Sequence, residues 1–149
     1  MPFFTLQIVP QGPLVTAGIG VSEARKAALV AANVAVPNLV QIRALIDTGA
    51  SDTCVDPSVL LSLALTPTGV VKVNTPSTGS QPHDTDQYDV SLLIPGAVAT
   101  HPPLMVQNLP VISAELLVQQ GFHALIGRDV LSMCLLEYNG VTKMFSLAY

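Results

Sequence analysis

Half of the 149 residues are hydrophobic and 11% are charged, too apolar a composition for a disordered chain and long enough to enclose a core, so one domain is predicted over residues 1–149. Six Lys+Arg against ten Asp+Glu leave a formal charge of −4, and without a basic cluster this excludes nucleic acid as the main partner. Residues 1–10 lack a basic stretch followed by a long apolar block, and the longest apolar runs (Val59–Leu65, Val90–Ile94) are too short for a bilayer. Neither a signal peptide nor a membrane span is expected, and a cytoplasmic location follows. A mean hydropathy of +0.54 predicts either an apolar surface covered by a partner or a strand-rich core.

Thr5–Val9 alternates polar and apolar residues as a half-buried strand does, and Leu14–Val21 reads as a second strand loosened by Gly18 and Gly20. The alanine-rich Ser22–Ala32, with Ser22 as N-cap and Pro37 beyond its end, predicts a short helix. Val40–Ile46 is a strand running into Asp47. Asp56-Pro57 opens a second helix through Leu63, the proline near its first position and Asp56 as cap. Val70–Asn74 and Tyr88–Ile94 are strands around a polar, turn-rich connection, Thr75–Asp86. Leu104–Gln107 is another strand, Ala124–Ile126 an apolar run stopped by Gly127, and Arg128–Cys134 a short helix. Asn139-Gly140 between apolar stretches predicts a hairpin, and Lys143–Tyr149 alternates to the last residue. The sum is mostly β with one or two short helices. An end that stays strand-like is expected to be paired.

Cys54 and Cys134 have neither metal-ligand spacing nor the density of a disulfide scaffold, and are expected to be buried free thiols. His83, His101 and His123 share no spacing with one another or with a carboxylate or cysteine group; loop or surface positions are expected, with no metal and no cofactor.

The Asp47 turn carries the chemistry. An apolar strand ending in a carboxylate needs a reason, since burying an unpaired charge is costly. Hydrolysis of an amide by water needs a base for the water and an acid for the carbonyl oxygen. Two carboxylates sharing one proton supply both, and they titrate as a unit. Gly49 tolerates close backbone approach or unusual φ/ψ, and Ala50 keeps the floor small. As a bare tripeptide, Asp47-Thr48-Gly49 is equally an ordinary Asx turn. The preceding Leu45-Ile46, the second apolar run ending at Gly127 and the polar segment between them favour an active site. The chain holds no second Asp-Thr-Gly and no internal repeat.

Leu45-Ile46-Asp47-Thr48-Gly49-Ala50 together with Leu125-Ile126-Gly127-Arg128-Asp129 resembles the single-domain, retropepsin-like aspartic peptidases. The resemblance runs from about Val40 to the C-terminus. It implies an all-β fold, a closed barrel equivalent to half of an acid protease, with one or two short helices. It further implies Asp47 as the catalytic residue, Thr48 bracing the loops across a homodimer, and Gly49 lining the cleft beside Ala50. A flap would lie within residues 70–94, with its tip at Ser77, Thr78 and Gly79. The substrate would be a peptide or protein bound in extended form, and Phe3–Val9 with Val141–Tyr149 would build the dimer sheet. Departures are the Ser22–Ala32 insertion, Pro76 and Pro82 in the flap, and Ser51 where viral enzymes tend to carry an acid. Asp52 is then the expected partner of Arg128 in a structural brace, with Asp129 capping the short helix. The rival function is a non-catalytic dimeric peptide-binding module on the same fold. A peptidase acting on its own precursor is a third, set back by the lack of an obvious pro-segment.

Overall fold

The computed structural model describes residues 1–75, 79–115 and 118–149. In chain order the strands are β1 (Phe3–Gln7), β2 (Leu14–Val21), β3 (Val40–Ile46), β4 (Cys54–Val55), β5 (Gly69–Val73), β6 (His83–Ile94), β7 (Leu104–Ser113), β8 (Ala124–Ile126), β9 (Leu135–Asn139) and β10 (Met144–Ala148). Helix α1 (Glu23–Ala31) lies between β2 and β3, α2 (Pro57–Ser62) between β4 and β5, and α3 (Arg128–Leu131) between β8 and β9.

Six strands close on themselves in the order β2-β3-β8-β4-β7-β6, because β6 pairs with β2 as well as with β7. Alternate residues fill the barrel: Val15, Ala17 and Ile19 from β2, Ile42, Ala44 and Ile46 from β3, Val90, Leu92 and Ile94 from β6, and Ala124 and Ile126 from β8 are all buried. That period of two is what a strand with one dry face requires. The mostly-β reading and the closed barrel are therefore correct.

The caps were legible. Ser22 accepts the Arg25 N–H at 3.2 Å to start α1, and Asp56 accepts the Ser58 N–H at 2.9 Å to start α2, with Pro57 at its first position. Other boundaries differ for physical reasons. Strand β6 begins at His83, five residues before Tyr88, and its polar start pairs with β5 from Val73↔His83 to Gly69↔Gln87. This part projects beyond the barrel and is wet, so its sequence lacks apolar alternation. Strand β7 continues past Gln107 to Ser113 although Pro110 removes a donor, and the register shifts between Val90 and Leu92 of β6, where β7 carries one residue more. The Asn139-Gly140 hairpin is not a two-residue turn. Asn139 Oδ1 accepts the N–H groups of Val141 and Thr142 at 3.1 and 3.0 Å, and the left-handed residue is Lys143, at φ 55°.

The chain ends pair with each other. Strand β10 lies between β1 and β9 in a three-stranded antiparallel sheet, from Phe3↔Ala148 to Gln7↔Met144 and from Ala148↔Leu135 to Met144↔Asn139. Phe4, Phe145 and Leu147 of this sheet join the main core. Both hydrogen-bonding edges of β10 are thus occupied within one subunit, and the expected pairing of the C-terminal strand is made by β1 and β9.

Candidate active site

Strands β3 and β8 run parallel and in register, Ala44↔Ala124 to Ile46↔Ile126. Each ends in a glycine-containing turn, and the two turns meet at one end of the barrel. The Asp47 N–H continues the ladder to Ile126 O at 3.0 Å. Beyond it, the Arg128 and Asp129 N–H groups bond Ala50 O and Ser51 O at 3.0 and 3.2 Å. The segment after β8 therefore runs along the segment after β3 and holds it.

Gly127 makes this crossing possible. A Cβ there would lie 2.5 Å from the Asp52 carbonyl carbon and 2.7 Å from its oxygen, contacts with backbone that no rotamer relieves. The apolar-apolar-Gly pattern is thus a steric requirement of two chains crossing. At Gly49 the reason is different: a Cβ would come within 3.1 Å of Asp47 Oδ1, while its φ is not left-handed. Close approach, and not unusual φ/ψ, is what this position demands.

The Asp47 carboxylate is half-buried, and its Oδ1 accepts the Gly49 N–H at 2.8 Å. This is the Asx turn that the bare tripeptide predicts; the site is built on it. Ala50 N–H closes the turn on Asp47 O at 3.3 Å. Thr48 is exposed at the crest of the turn.

Arg128 does not pair with Asp52: among the described residues the ion pairs are Lys26–Glu23 and Lys72–Asp84. Its guanidinium instead donates to Thr48 O at 3.0 Å and to Gly49 O at 3.5 Å, tying down carbonyls of the turn. Asp52 accepts the Ser51 hydroxyl at 2.7 Å and remains exposed. The carboxylate that braces the crossing is Asp129. Its two oxygens take the Thr53 hydroxyl at 2.8 Å and the Thr53 N–H at 2.9 Å, and it also accepts the Val130 N–H at 2.8 Å. Thr53 Oγ1 in turn accepts the Gly127 N–H at 3.2 Å. Thr53, fully buried, was missed in the sequence; its signal is a hydroxyl six residues after Asp47, matched by an acid two residues after Gly127.

A cavity of about 680 Å³ lies between this turn and the β5–β6 hairpin, lined by Asp47, Gly49, Ala50, Val71, Ile112 and Leu125 among others. A second, of about 840 Å³, lies along the other side of the hairpin and shares Cys54, Val73, Ile112 and Leu125 with the first. Cys54 is thus a half-buried wall residue, not a core residue, and Cys134 is also only half-buried. Burial first, then the carboxylates of Asp52, Asp129 and Asp47, push the Cys54 thiol up to about 11. It is a neutral wall at ordinary pH and a poor nucleophile. Of the flap-tip residues, Gly79 sits in a turn at φ 61°, while Ser77 and Thr78 lie outside the described residues. Among the described residues, no three His, Cys, Asp or Glu side chains gather so as to hold a metal ion.

A closed barrel whose two parallel strand ends cross beneath a lone aspartate, with a hairpin above, is the half-site architecture of acid proteases. Residues 31–130 match the family described as aspartyl protease, and the chain belongs to that family. It is an aspartic-type endopeptidase. The fold is similar to that of a retropepsin-like aspartic protease from Rickettsia conorii, with a TM-score of 0.57 and 13% identity over 99% of this chain and 90% of that one. No curated protein matches.

Proposed function

We propose that the active enzyme is a homodimer in which two Asp47 carboxylates, one per subunit, share a proton and activate a water. One carboxylate takes a proton from the water as it attacks the peptide carbonyl; the proton already shared goes to the carbonyl oxygen. Collapse of the tetrahedral intermediate returns a proton to the leaving nitrogen. The carrying observation is that the only Asp-Thr-Gly turn of the sequence is held rigidly at a cleft that supplies one carboxylate. Like charges brought within a few ångströms cannot both ionise, which makes a general acid of one and a general base of the other.

Asp47 is the catalytic residue in this reading. Thr48, on the exposed crest, faces the partner's turn, and Gly49 and Ala50 floor the cleft. The β5–β6 hairpin, with Gly79 at its turn, acts as the flap over an extended peptide. The apolar wall of Cys54, Val73, Ile112 and Leu125 suits an apolar substrate side chain.

The test mixes wild-type protein with Asp47→Asn. The variant alone cleaves no peptide while remaining folded. At equal mixing with free exchange, roughly one dimer in four retains both carboxylates. Activity per wild-type subunit then falls to about half. Unchanged activity per wild-type subunit would show that one subunit suffices.

A further inference from the structure

The charge of this chain is concentrated along its cleft. Of the ten Asp+Glu, five line the two cavities beside the hairpin: Asp47 and Asp52 the first, Asp84, Asp86 and Glu115 the second. Of the six Lys+Arg, Lys72 alone lines either cavity among the described residues, and Asp84 pairs with it at 3.0 Å. With that pair cancelled, Asp86 and Glu115 line the second cavity without a cation, and among the described residues neither has a hydrogen bond or an ion pair. The carboxylates are spread along a channel, not gathered at a point: among the described residues no three acidic, histidine or cysteine side chains come together to hold a metal ion.

The second cavity holds its two free carboxylates on separate, fixed pieces of backbone. Asp86 sits on β6 directly opposite Val70 of β5, whose apolar side chain is 64% exposed. Glu115 follows β7, where the Ala114 N–H bonds Val55 O at 3.0 Å and Ser113 O accepts the Thr85 hydroxyl at 3.0 Å. Ile112 and Leu125, shared with the cavity at Asp47, continue the apolar wall. Leu125 pairs with Leu45, two residues before Asp47, so the wall begins beside the reacting centre. An apolar track ending at unpaired carboxylates matches lysine or arginine, whose aliphatic stem covers apolar surface while its charged head stays wet. An acidic side chain there would meet like charge, and a short apolar one would leave the far end of the track empty.

We propose that this second cavity is the specificity pocket for a basic substrate residue. The stem of a lysine or arginine lies along Leu125, Ile112 and Val70, and its head reaches Asp86 and Glu115. The substrate is then a peptide with a basic residue near the scissile bond, and the acidic cleft draws such peptides from solution. In a two-fold dimer the pocket occurs once on each side of that bond. The inference rests on the reading of the Asp47 cleft as the active site and adds the class of substrate it accepts.

Three proteins are assayed at neutral pH: wild type, the double variant Asp86→Asn/Glu115→Gln, and the control Glu23→Gln, which lies outside both cavities. The substrates are peptides carrying Lys, Arg, Met or Glu at each position around one scissile bond. Wild type is expected to prefer Lys and Arg over the uncharged Met by about five-fold or more in kcat/KM at one of these positions, with Glu the poorest. The double variant loses that preference and the control keeps it. Raising the salt concentration should erode the wild-type preference as well, a readout that needs no variant to fold. Equal rates on Met and Lys peptides, a preference untouched by the double variant, or one indifferent to salt overturns the inference; each leaves the Asp47 enzyme standing. Cleavage that survives Asp47→Asn, or a wild type that cleaves none of the peptides, overturns the reading of the cleft and the inference with it.

Discussion

Thr53→Val tests the idea that one buried hydroxyl locks the two crossing turns. Valine keeps the shape of threonine, so the substitution opens no cavity and removes only hydrogen bonds. Two are lost: the Thr53 hydroxyl to Asp129 Oδ1 at 2.8 Å and the Gly127 N–H to that hydroxyl at 3.2 Å. A bond to a charged acceptor contributes about 1.5–3 kcal/mol, and an amide left buried without an acceptor costs about 1–3 kcal/mol. Their sum is about 2.5–6 kcal/mol, a large part of the roughly 5–15 kcal/mol that holds an ordinary domain together. Thr53→Ser keeps the hydroxyl and drops one methyl, for about 1 kcal/mol. Urea unfolding at neutral pH reads both, and an unchanged denaturant slope would confirm that the midpoint shift is stability. Peptide cleavage should fall with Thr53→Val even where the protein is fully folded, because the segment carrying Arg128 loosens from the Asp47 turn. If Thr53→Val lies within 1 kcal/mol of Thr53→Ser, the lock does not hold the crossing and the argument fails.

Gly127→Ala forces a Cβ to within 2.5 Å of backbone at Asp52 and should cost about 1–3 kcal/mol or more, visible as a lowered thermal midpoint; an unchanged midpoint would show that the crossing is looser than described. The Cys54 thiol has its pKa raised by folding, so its contribution is fully present below the unfolded value and is lost as pH rises from 9.0 through about 11. Cys54→Ala should flatten that alkaline loss in a stability–pH profile, and an identical profile would count against it. Deleting Val141–Tyr149 removes the buried Phe145 and Leu147 and the strand between β1 and β9, so circular dichroism should report an unfolded or aggregated chain. A folded monomer from that deletion would contradict the role given to β10.

What the sequence made legible was local chemistry. Ser22 and Asp56 announce helix starts because caps act within three residues, and Asp47-Thr48-Gly49 announces its turn for the same reason. The paired element at Gly127-Arg128-Asp129 was visible as a motif, but its partners were not. A guanidinium with several donors suits Arg128 to tie loop backbone to a carboxylate; the loop backbone is there as the Thr48 and Gly49 carbonyls, but no ion pair to Asp52 is found among the described residues. Asp129 was read as a cap, and it does bond the Val130 N–H, yet its larger task is Thr53, 76 residues away in sequence. Nothing in a linear reading orders two strands into parallel register, so contacts created by that register stayed hidden. The start of β6, His83–Gln87, escaped for a related reason: a largely exposed strand segment carries no apolar alternation to detect.

The same register explains why a half-site can be complete in itself. Among the described residues, the Asp47 turn is supported from within its own chain: Ile126 O takes the Asp47 N–H, Arg128 takes the carbonyls of Thr48 and Gly49, and Ala50 O and Ser51 O take N–H groups of Arg128 and Asp129. On the two-subunit reading, association supplies a second carboxylate to a preformed cradle, and little rearrangement opposes it. Preorganised polar groups of this kind act at the transition state without reorganising at the moment of reaction. Asp47→Asn should accordingly leave the turn in place, since an amide oxygen can still accept the Gly49 N–H at the 2.8 Å the carboxylate occupies now. An inactive variant with unchanged melting and unchanged dimerisation would separate the chemistry of the pair from the architecture that holds it. A variant that unfolds would mean that the carboxylate charge, and not the network around it, keeps the turn in shape.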